Sequence, residues 1–583
     1  MPAGSADGAG AARIVGSAVS GASLLAGAQL VSRLATFALN VLLARAVQDP
    51  SALGVAAVQL YLLDTLALTL AREGVRRTSL RASGEGAADA RLMAQLSWAA
   101  VLVGLAGIVP LCWYWLRSAD AGALGGVSLG EYEVAVWLIG LSVALELLSE
   151  PMFVAAQGRL EYGARSAIEA AAVGARCMVQ FIGVVHLGLG LRAFAWGYVA
   201  YSVCLLLGYA AHSLRRAREV PDGSAALHLL LPCGARPAGF SSGSLEAARW
   251  RLAASLSVQQ FAKVVLAEGE KMVMMGMSMA AADQAVYSLV SNLGSLVVRF
   301  LFLPIEESAF AVFGKLNDLA ARRHEHESGN ENEDEKAERP RRQQQRQQQE
   351  QHDASLSLDK LVSAATRVMA LVGLVFVTFG SPYSHLLLRL LYGERWSDGT
   401  DAAAVLALYC AYLVLVAVNG ITEAFVHAVG SAQALKSLNA WLMLFSLAYV
   451  VAAVSLFHLR ARGLILANML SMLLRIAFSV HFITRWRAPG SGVAVRPAAL
   501  APSVLSLAGF AAAALATRAS ERALYGARLG SLHAAAAHVA VGAACLVALA
   551  ALLALVSEKQ LGRDLRQLYR VVKRDGAASN KEA

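Results

Sequence analysis

The chain has 583 residues, of which 57% are hydrophobic and 16% charged, and its mean hydropathy is +0.53, well above that of a soluble domain. This composition excludes a water-soluble globular protein and points to a polytopic membrane protein. The formal net charge of +10 follows from basic residues gathered in the loops of one membrane side, so it implies no nucleic-acid partner.

Apolar stretches of spanning length, about 20 residues each, are predicted near 17–44, 52–72, 92–116, 132–155, 164–187, 190–213, 252–277, 284–313, 358–392, 402–428, 432–458, 461–484, 498–517 and 532–556. Unpaired backbone groups cannot sit in hydrocarbon, and these Leu/Ala/Val segments are too long for barrel strands. The fold class is therefore all-α, with about 14 transmembrane helices. The first span follows a polar leader, Met1 to Arg13, and contains the small residues Ala22 and Ala26, as a signal peptide would. It is also long and carries Gln29, Ser32, Arg33, Thr36 and Asn40, so it is expected to be retained as a helix.

Two hydrophilic breaks divide the chain. Residues 214–250, with Pro221-Asp222-Gly223-Ser224 and Ser241-Ser242-Gly243-Ser244, read as a cytosolic linker between two six-helix lobes, 1–213 and 251–485. Residues 316–357 contain Glu331-Asn332-Glu333-Asp334-Glu335 and the glutamine-rich run Arg341 to Gln351. This stretch lacks the apolar residues needed for a core, so a disordered cytosolic insertion is expected, with His324 and His326 solvated in it. Residues 486–583 supply two additional helices and a basic tail.

Arginine and lysine set the orientation. Arg72, Arg76, Arg77, Arg81 and Arg91, then Arg159 and Arg165, then Arg215, Arg216, Arg218 and Arg236, and finally Lys559 to Arg574 fall on one side. The opposite loops are thinner in cations, with a modest exception at Arg518, Arg522 and Arg528. Both termini are thus expected in the cytosol.

Six cysteines are scattered without a Cys-x-x-Cys pair, which argues against zinc, haem or redox chemistry. No phosphate-binding loop, nucleophile elbow or His-Glu-x-x-His helix is present. No catalytic residue, cofactor or metal is expected.

The charges inside the spans carry the functional argument. One charge at the bilayer centre costs roughly 2.5 to 3.5 kcal/mol, so such groups must face each other or water. The substrate-binding candidates are Arg33, Arg72, Arg76, Arg77, Glu146 and Glu150 in the first lobe. In the second they are Glu268, Glu270, Lys271, Asn292, Arg299, Glu306, Glu307, Glu423 and Arg475. Glu146 and Glu150 share one helix face, as do Arg72 and Arg76, so the two faces can pair. For Arg72, Arg76 and Arg77 the competing reading is snorkelling to the interface. For Glu268, Glu423 and Arg475 it is a buried structural ion pair.

At these residues the chain resembles a known family. Ala71-Arg72-Glu73-Gly74-Val75-Arg76-Arg77, Glu146 to Pro151, Glu268 to Met274, Asp283 to Glu307, Asn419 to Glu423 and Gly463 to Asn468 are similar, in order and across both lobes, to the eukaryotic Rft family. These are endoplasmic-reticulum proteins of the multidrug/oligosaccharidyl-lipid/polysaccharide exporter superfamily. The resemblance implies two six-helix lobes around a central cavity with two C-terminal helices beside them. It implies a role in N-glycosylation, at the step that carries a pyrophosphoryl-dolichol bearing two N-acetylglucosamines and five mannoses to the lumenal leaflet. The expected partners are that dolichol-linked oligosaccharide, endoplasmic-reticulum lipids and other proteins of the pathway. In this reading arginines hold the pyrophosphate while carboxylates and amides line a hydrated sugar path or close it as a gate. The insertion before the ninth span departs from the family pattern.

The alternatives are a non-transporting accessory factor of the same pathway, an ion-coupled drug exporter using carboxylates such as Asp64 and Glu146, and a dolichol-dependent glycosyltransferase. The last would need an acidic pair in a long loop after the first span, where only Gln48 to Ser51 is available.

Overall fold

The computed structural model describes residues 37–81, 87–159, 161–219, 244–328, 341–486, 495–525 and 531–557, all of them helical or in short turns. The helices are α1 (Phe37–Ala46), α2 (Pro50–Leu80), α3 (Ala87–Arg117), α4 (Leu129–Gly158), α5 (Tyr162–Val185), α6 (Leu191–Glu219), α7 (Ser244–Ala267) and α8 (Gly269–Gly276). They continue with α9 (Ala281–Val297), α10 (Leu303–Ser328), α11 (Leu358–Tyr392), α12 (Ala402–Val429), α13 (Ala432–Ser455), α14 (Ala461–Arg485), α15 (Val504–Ser520) and α16 (Leu532–Leu555).

Among the described residues ten helices are long and apolar enough to cross a membrane: α2 to α6, α11 to α14 and α16. They coincide with ten of the expected spans. The expected spans at 252–277 and 284–313 are helical but interrupted, the first at Glu268 between α7 and α8, the second by a π turn at Val298–Phe302. The span at 498–517 is the shorter α15, and most of 17–44 lies outside the described residues.

Outward faces bear the mark of hydrocarbon as solvent. On α13, Met443, Leu447 and Val451 recur at helical spacing and stay more than half exposed, at 69%, 59% and 59%, an arrangement water would penalise.

Two compact units divide the chain, Met1–Ala285 and Val286–Ala583. In the first, α6 lies along both α4 and α5, around a core that includes Leu60, Leu63, Tyr132, Ile139, Val143 and Leu147. Helix α7 packs on α2 within this unit. The contact is close because of Gly74: a Cβ there would stand 2.0 Å from Ser257 Oγ and 2.5 Å from the Ala253 carbonyl oxygen. Of the expected linker 214–250, residues 220–243 lie outside the described residues, while α6 runs on to Glu219 and α7 starts at Ser244.

In the second unit α12 is central, packed by α10, α11 and α14. Helices α15 and α16 pair with each other and dock on α11. A π turn at Phe376–Gly380 leaves the Thr378 carbonyl available, and Thr517 Oγ1 of α15 donates to it at 3.2 Å. Tyr383 stacks on His538 of α16 at 4.0 Å and donates to its carbonyl at 2.6 Å. Helical backbone also enters both flanks of the expected insertion, through α10 to Ser328 and from Arg341 into α11. Gln, Glu and Arg are good helix formers, and each flank extends a helix already nucleated in the apolar region. Residues 329–340 lie outside the described residues.

Candidate functional site

The densest group of candidate residues lies in the first unit between α2 and α4. On α2, Arg72, Arg76 and Ser79 sit at i, i+4 and i+7; on α4, Glu146, Glu150, Phe153 and Gln157 sit at i, i+4, i+7 and i+11. Each set forms one stripe of a helix. The stripes meet in rising order, Arg72 with Glu146, Arg76 with Glu150, Ser79 with Gln157. That is parallel packing, as the second and fourth spans of a serpentine chain require.

Arg72 Nη2 lies 2.7 Å from Glu146 Oε1, and its Nη1 stands 3.7 Å from Glu150 Oε2. Arg76 grips Glu150 with both arms of its fork, Nε to Oε1 at 2.7 Å and Nη2 to Oε2 at 2.6 Å. Phe153 lies beneath Arg76, whose guanidinium carbon is 3.7 Å from the ring centre, and Arg165 of α5 shares the same ring at 4.4 Å. Gln157 Nε2 donates to the Arg76 carbonyl and to Ser79 Oγ, both at 2.9 Å, while its Oε1 accepts from Arg165 at 3.2 Å.

Local breaks in both helices create this arrangement. Arg72 lies in a π turn, Thr69–Glu73, where one extra residue per turn shifts the following side chains around the axis. On α4 the helix breaks at Ser149, because Pro151 has no N–H to return to the preceding turn. Ser149 Oγ takes up the Glu146 carbonyl at 2.7 Å.

Two arginines and two carboxylates make the group electrically neutral, and Glu150 is fully buried. The arginines therefore turn inward onto carboxylates rather than snorkelling. Not every polar group is used: Arg72 Nε and Nη1 are buried without a hydrogen-bond acceptor, and Asp64 Oδ1, about two turns earlier on α2, is buried without a donor. Arg176 of α5 lies over the Tyr198 ring at 3.8 Å. Arg77 is exposed, and Arg33 lies outside the described residues.

A second group in this unit surrounds the α7–α8 break. Glu268 Oε1 accepts from Tyr61 at 3.1 Å, Lys271 pairs with the same carboxylate, and the Lys271 ammonium sits 4.4 Å above the Tyr61 ring. Glu270 is half-buried beside them in sequence.

In the second unit, Asn419 donates to Glu423 at 2.8 Å, His427 stands 3.8 Å from Glu423, and the Glu306 carboxylate lies over Gly420. Arg475 is half-buried with Nε lacking an acceptor. Asn292, Arg299 and Glu307 are exposed, and Arg299 sits in the π turn between α9 and α10 with no hydrogen bond or ion pair to another described residue. The candidates thus form separate groups within each unit.

Outside the spans, Glu161 in the α4–α5 turn accepts from Arg216 Nε at 2.8 Å and lies 2.7 Å from His212 Nε2. Burial would raise its pKa, but these two bonds outweigh it and hold the carboxyl below the usual range.

Gln157, Phe153 and Arg165 were missed by sequence reasoning. The first two could have been found by extending the Glu146–Glu150 stripe along its own face; Arg165 is a tertiary neighbour and left no such signal.

The family model for the Rft protein matches residues 17–568. The Man(5)GlcNAc(2)-PP-dolichol translocation protein RFT1 of Dictyostelium discoideum is 36% identical over 466 residues, 78% of this chain and 83% of its own. Its namesake from Xenopus tropicalis is 33% identical over 550 residues, 92% of this chain and 94% of its own. Among solved structures, the lipid II flippase MurJ in an inward closed conformation aligns with a TM-score of 0.53 at 10% identity, covering 91% of this chain and 98% of that one. A MATE-family multidrug transporter of the MOP superfamily aligns with a TM-score of 0.50 at 14% identity, covering 76% and 93%. These two likenesses describe the fold. The match along most of the sequence makes this chain a multi-pass membrane protein of the Rft family.

Proposed function

We propose that this protein moves a pyrophosphoryl-dolichol oligosaccharide, with two N-acetylglucosamines and five mannoses, from the cytosolic to the lumenal leaflet of the endoplasmic reticulum for N-glycosylation. It does so as a transporter rather than an enzyme, through about fourteen spans with both termini in the cytosol. The names of its relatives support the substrate, and the distribution of loop cations supports the orientation.

One structural observation carries the site reading. Arg299 is exposed within a membrane-length helical run, without a partner among the described residues. Such a cation is costly against lipid, so it belongs on a hydrated path, where its guanidinium can take phosphate oxygens two at a time. Asn292 and Glu307 of the same unit then meet the sugar hydroxyls. Purified protein in liposomes is the test: acceleration of oligosaccharide-lipid translocation over empty vesicles supports the reading, and its absence removes it.

A second reading, an accessory factor of the same pathway, is favoured by the internal pairing of Arg72 and Arg76, which removes two expected pyrophosphate ligands. Loss of the protein from cells is expected to make the five-mannose intermediate accumulate under either reading. Reconstitution separates them.

A further inference from the structure

A cavity of about 430 Å³ opens in the first unit between the start of α5 and the last two turns of α6. None of the residues lining it belongs to the paired stripes of α2 and α4. Its floor is the group already described in the α4–α5 turn. There the Glu161 carboxylate holds Arg216 Nε and His212 Nε2, while Arg216 Nη1 also donates to Glu219 at 3.3 Å. The remaining charged residue of the lining is Arg215, exposed and without a hydrogen bond or ion pair to another described residue. Arg159, which ends α4, and Arg218, one turn beyond Leu214 on α6, are exposed and their side chains are likewise unpaired. Four arginines in this corner stand against two carboxylates, so the cavity carries a surplus of positive charge.

The same helix shows where the cavity lies with respect to lipid. Val203, Leu207 and Leu214 form one stripe of α6 and stay 36%, 63% and 48% exposed, a face that only hydrocarbon makes favourable. Arg218 continues that stripe, and Arg215 lies beside Leu214. Apolar surface therefore gives way to unpaired guanidinium within one helical turn, the level at which phospholipid headgroups stand.

The lining also discriminates among headgroups. A free guanidinium takes the oxygens of a phosphodiester in pairs. Both carboxylates already hold Arg216, so they have lone pairs to offer hydroxyl groups but no uncompensated charge to attract an ammonium. A headgroup bearing a carboxylate of its own would meet Glu161 and Glu219 with repulsion. We propose that this cavity is a binding site for a membrane phospholipid with a single phosphodiester and a polyhydroxylated, uncharged headgroup, of the phosphatidylinositol class. Arg215 takes the phosphate, Glu161 and Glu219 accept from the ring hydroxyls, and an acyl chain runs down Leu214 and Leu207. The leaflet is the one that meets the end of α6, which is cytosolic in the proposed orientation.

The test reads lipid binding alone, so a failed translocation assay would leave this site standing, and failure here would leave the transport reading standing. Full-length protein purified in detergent is titrated with dioctanoyl phosphatidylinositol, and its thermal midpoint is followed. A saturable rise is expected; dioctanoyl phosphatidylcholine and inorganic phosphate should give none, and the serine lipid should need about tenfold more. Arg215→Gln should raise the half-saturating concentration about tenfold. Its lipid-free midpoint should match the parent's, because the side chain makes no contact of this kind in the folded protein. Gly163→Asp sends a carboxylate into the cavity from a position with nothing within 4 Å of the added carbon. An acid suits the first turn of a helix, so that variant should melt no lower than the parent without lipid and yet lose the lipid response. Arg192→Gln removes the same charge at the opposite end of α6 and should leave the response intact.

The proposal is overturned by the absence of a saturable shift in the parent, by a response that survives in both Arg215→Gln and Gly163→Asp, or by an equal loss in Arg192→Gln. An equal response to inorganic phosphate would mean an adventitious ion only, and an equal response to the serine lipid would mean charge without headgroup selection; either overturns it. Displacement of the inositol lipid by purified oligosaccharide-lipid would assign the cavity to the glycolipid and overturn it equally.

Discussion

Arg76 holds Glu150 through two parallel hydrogen bonds of 2.7 and 2.6 Å, with the carboxylate fully buried and Phe153 stacked beneath the guanidinium. Removing the carboxylate would leave two arginines against the single carboxylate of Glu146, one positive charge uncompensated in a low-dielectric setting. Glu150→Ala is expected to destabilise the first unit by about 3–5 kcal/mol. Arg76→Lys keeps the charge but loses the fork and the planar stack, and should cost less, about 1–2 kcal/mol. Thermal unfolding of the purified variants in detergent checks both the direction and the order.

Gly74→Ala should loosen α7 from α2. The new methyl would stand 2.5 Å from a backbone oxygen, that of Ala253, so a side-chain rotation at Ser257 cannot relieve the clash. A loss of about 1–3 kcal/mol is expected. Gly107→Ala, where nothing lies within 4 Å of the added carbon, is the comparison and should be neutral or slightly stabilising. Cysteine pairs placed across α2 and α7 would report the loosening as a lower crosslinking yield.

The Glu161 turn predicts a pH dependence. Its folded pKa lies below the ordinary 4.5, so the unfolded chain binds more protons in the interval between the two values. The stabilisation is therefore fully present above about pH 4.5 and is lost as pH falls through the folded pKa. Glu161→Gln should lower the melting temperature at neutral pH, with the gap to the parent closing as the medium is acidified below that point. A gap that stayed constant with pH would contradict the charge-assisted role.

Arg299 gives the most direct test of the phosphate path. Replacing it by Gln removes a charge-assisted contact worth about 1.5–3 kcal/mol. Translocation measured in liposomes at limiting glycolipid should fall about tenfold or more. Because Arg299 makes no hydrogen bond or ion pair to another described residue, the melting temperature should hardly move.

Much of this molecule was legible from its sequence, for identifiable reasons. Ten spans emerged from apolar length alone, because hydrocarbon forces every backbone group into helix. The i, i+4 spacing of Arg72 with Arg76 and of Glu146 with Glu150 anticipated two facing stripes. The spacing did not reveal that they pair one to one, since Arg72 and Glu146 are brought together by packing far along the chain. The π turns at Thr69–Glu73 and Val298–Phe302 left no compositional trace either, because one inserted residue changes which way side chains point without changing what they are. Gly74 stood in plain view between charged neighbours, but the surface that needs its missing side chain belongs to α7.

The matched spacing of the α2 and α4 stripes also acts as a vernier. Sliding one helix past the other by a single turn, about 5.4 Å, would bring Arg72 to Glu150 and strand both Arg76 and Glu146. The opposite slide would bring Arg76 to Glu146 and strand Arg72 and Glu150. Of the registers one turn apart, the observed one alone discharges all four groups. The two helices are consequently keyed to a single axial setting, and any motion of this unit must carry them together as one rigid stave.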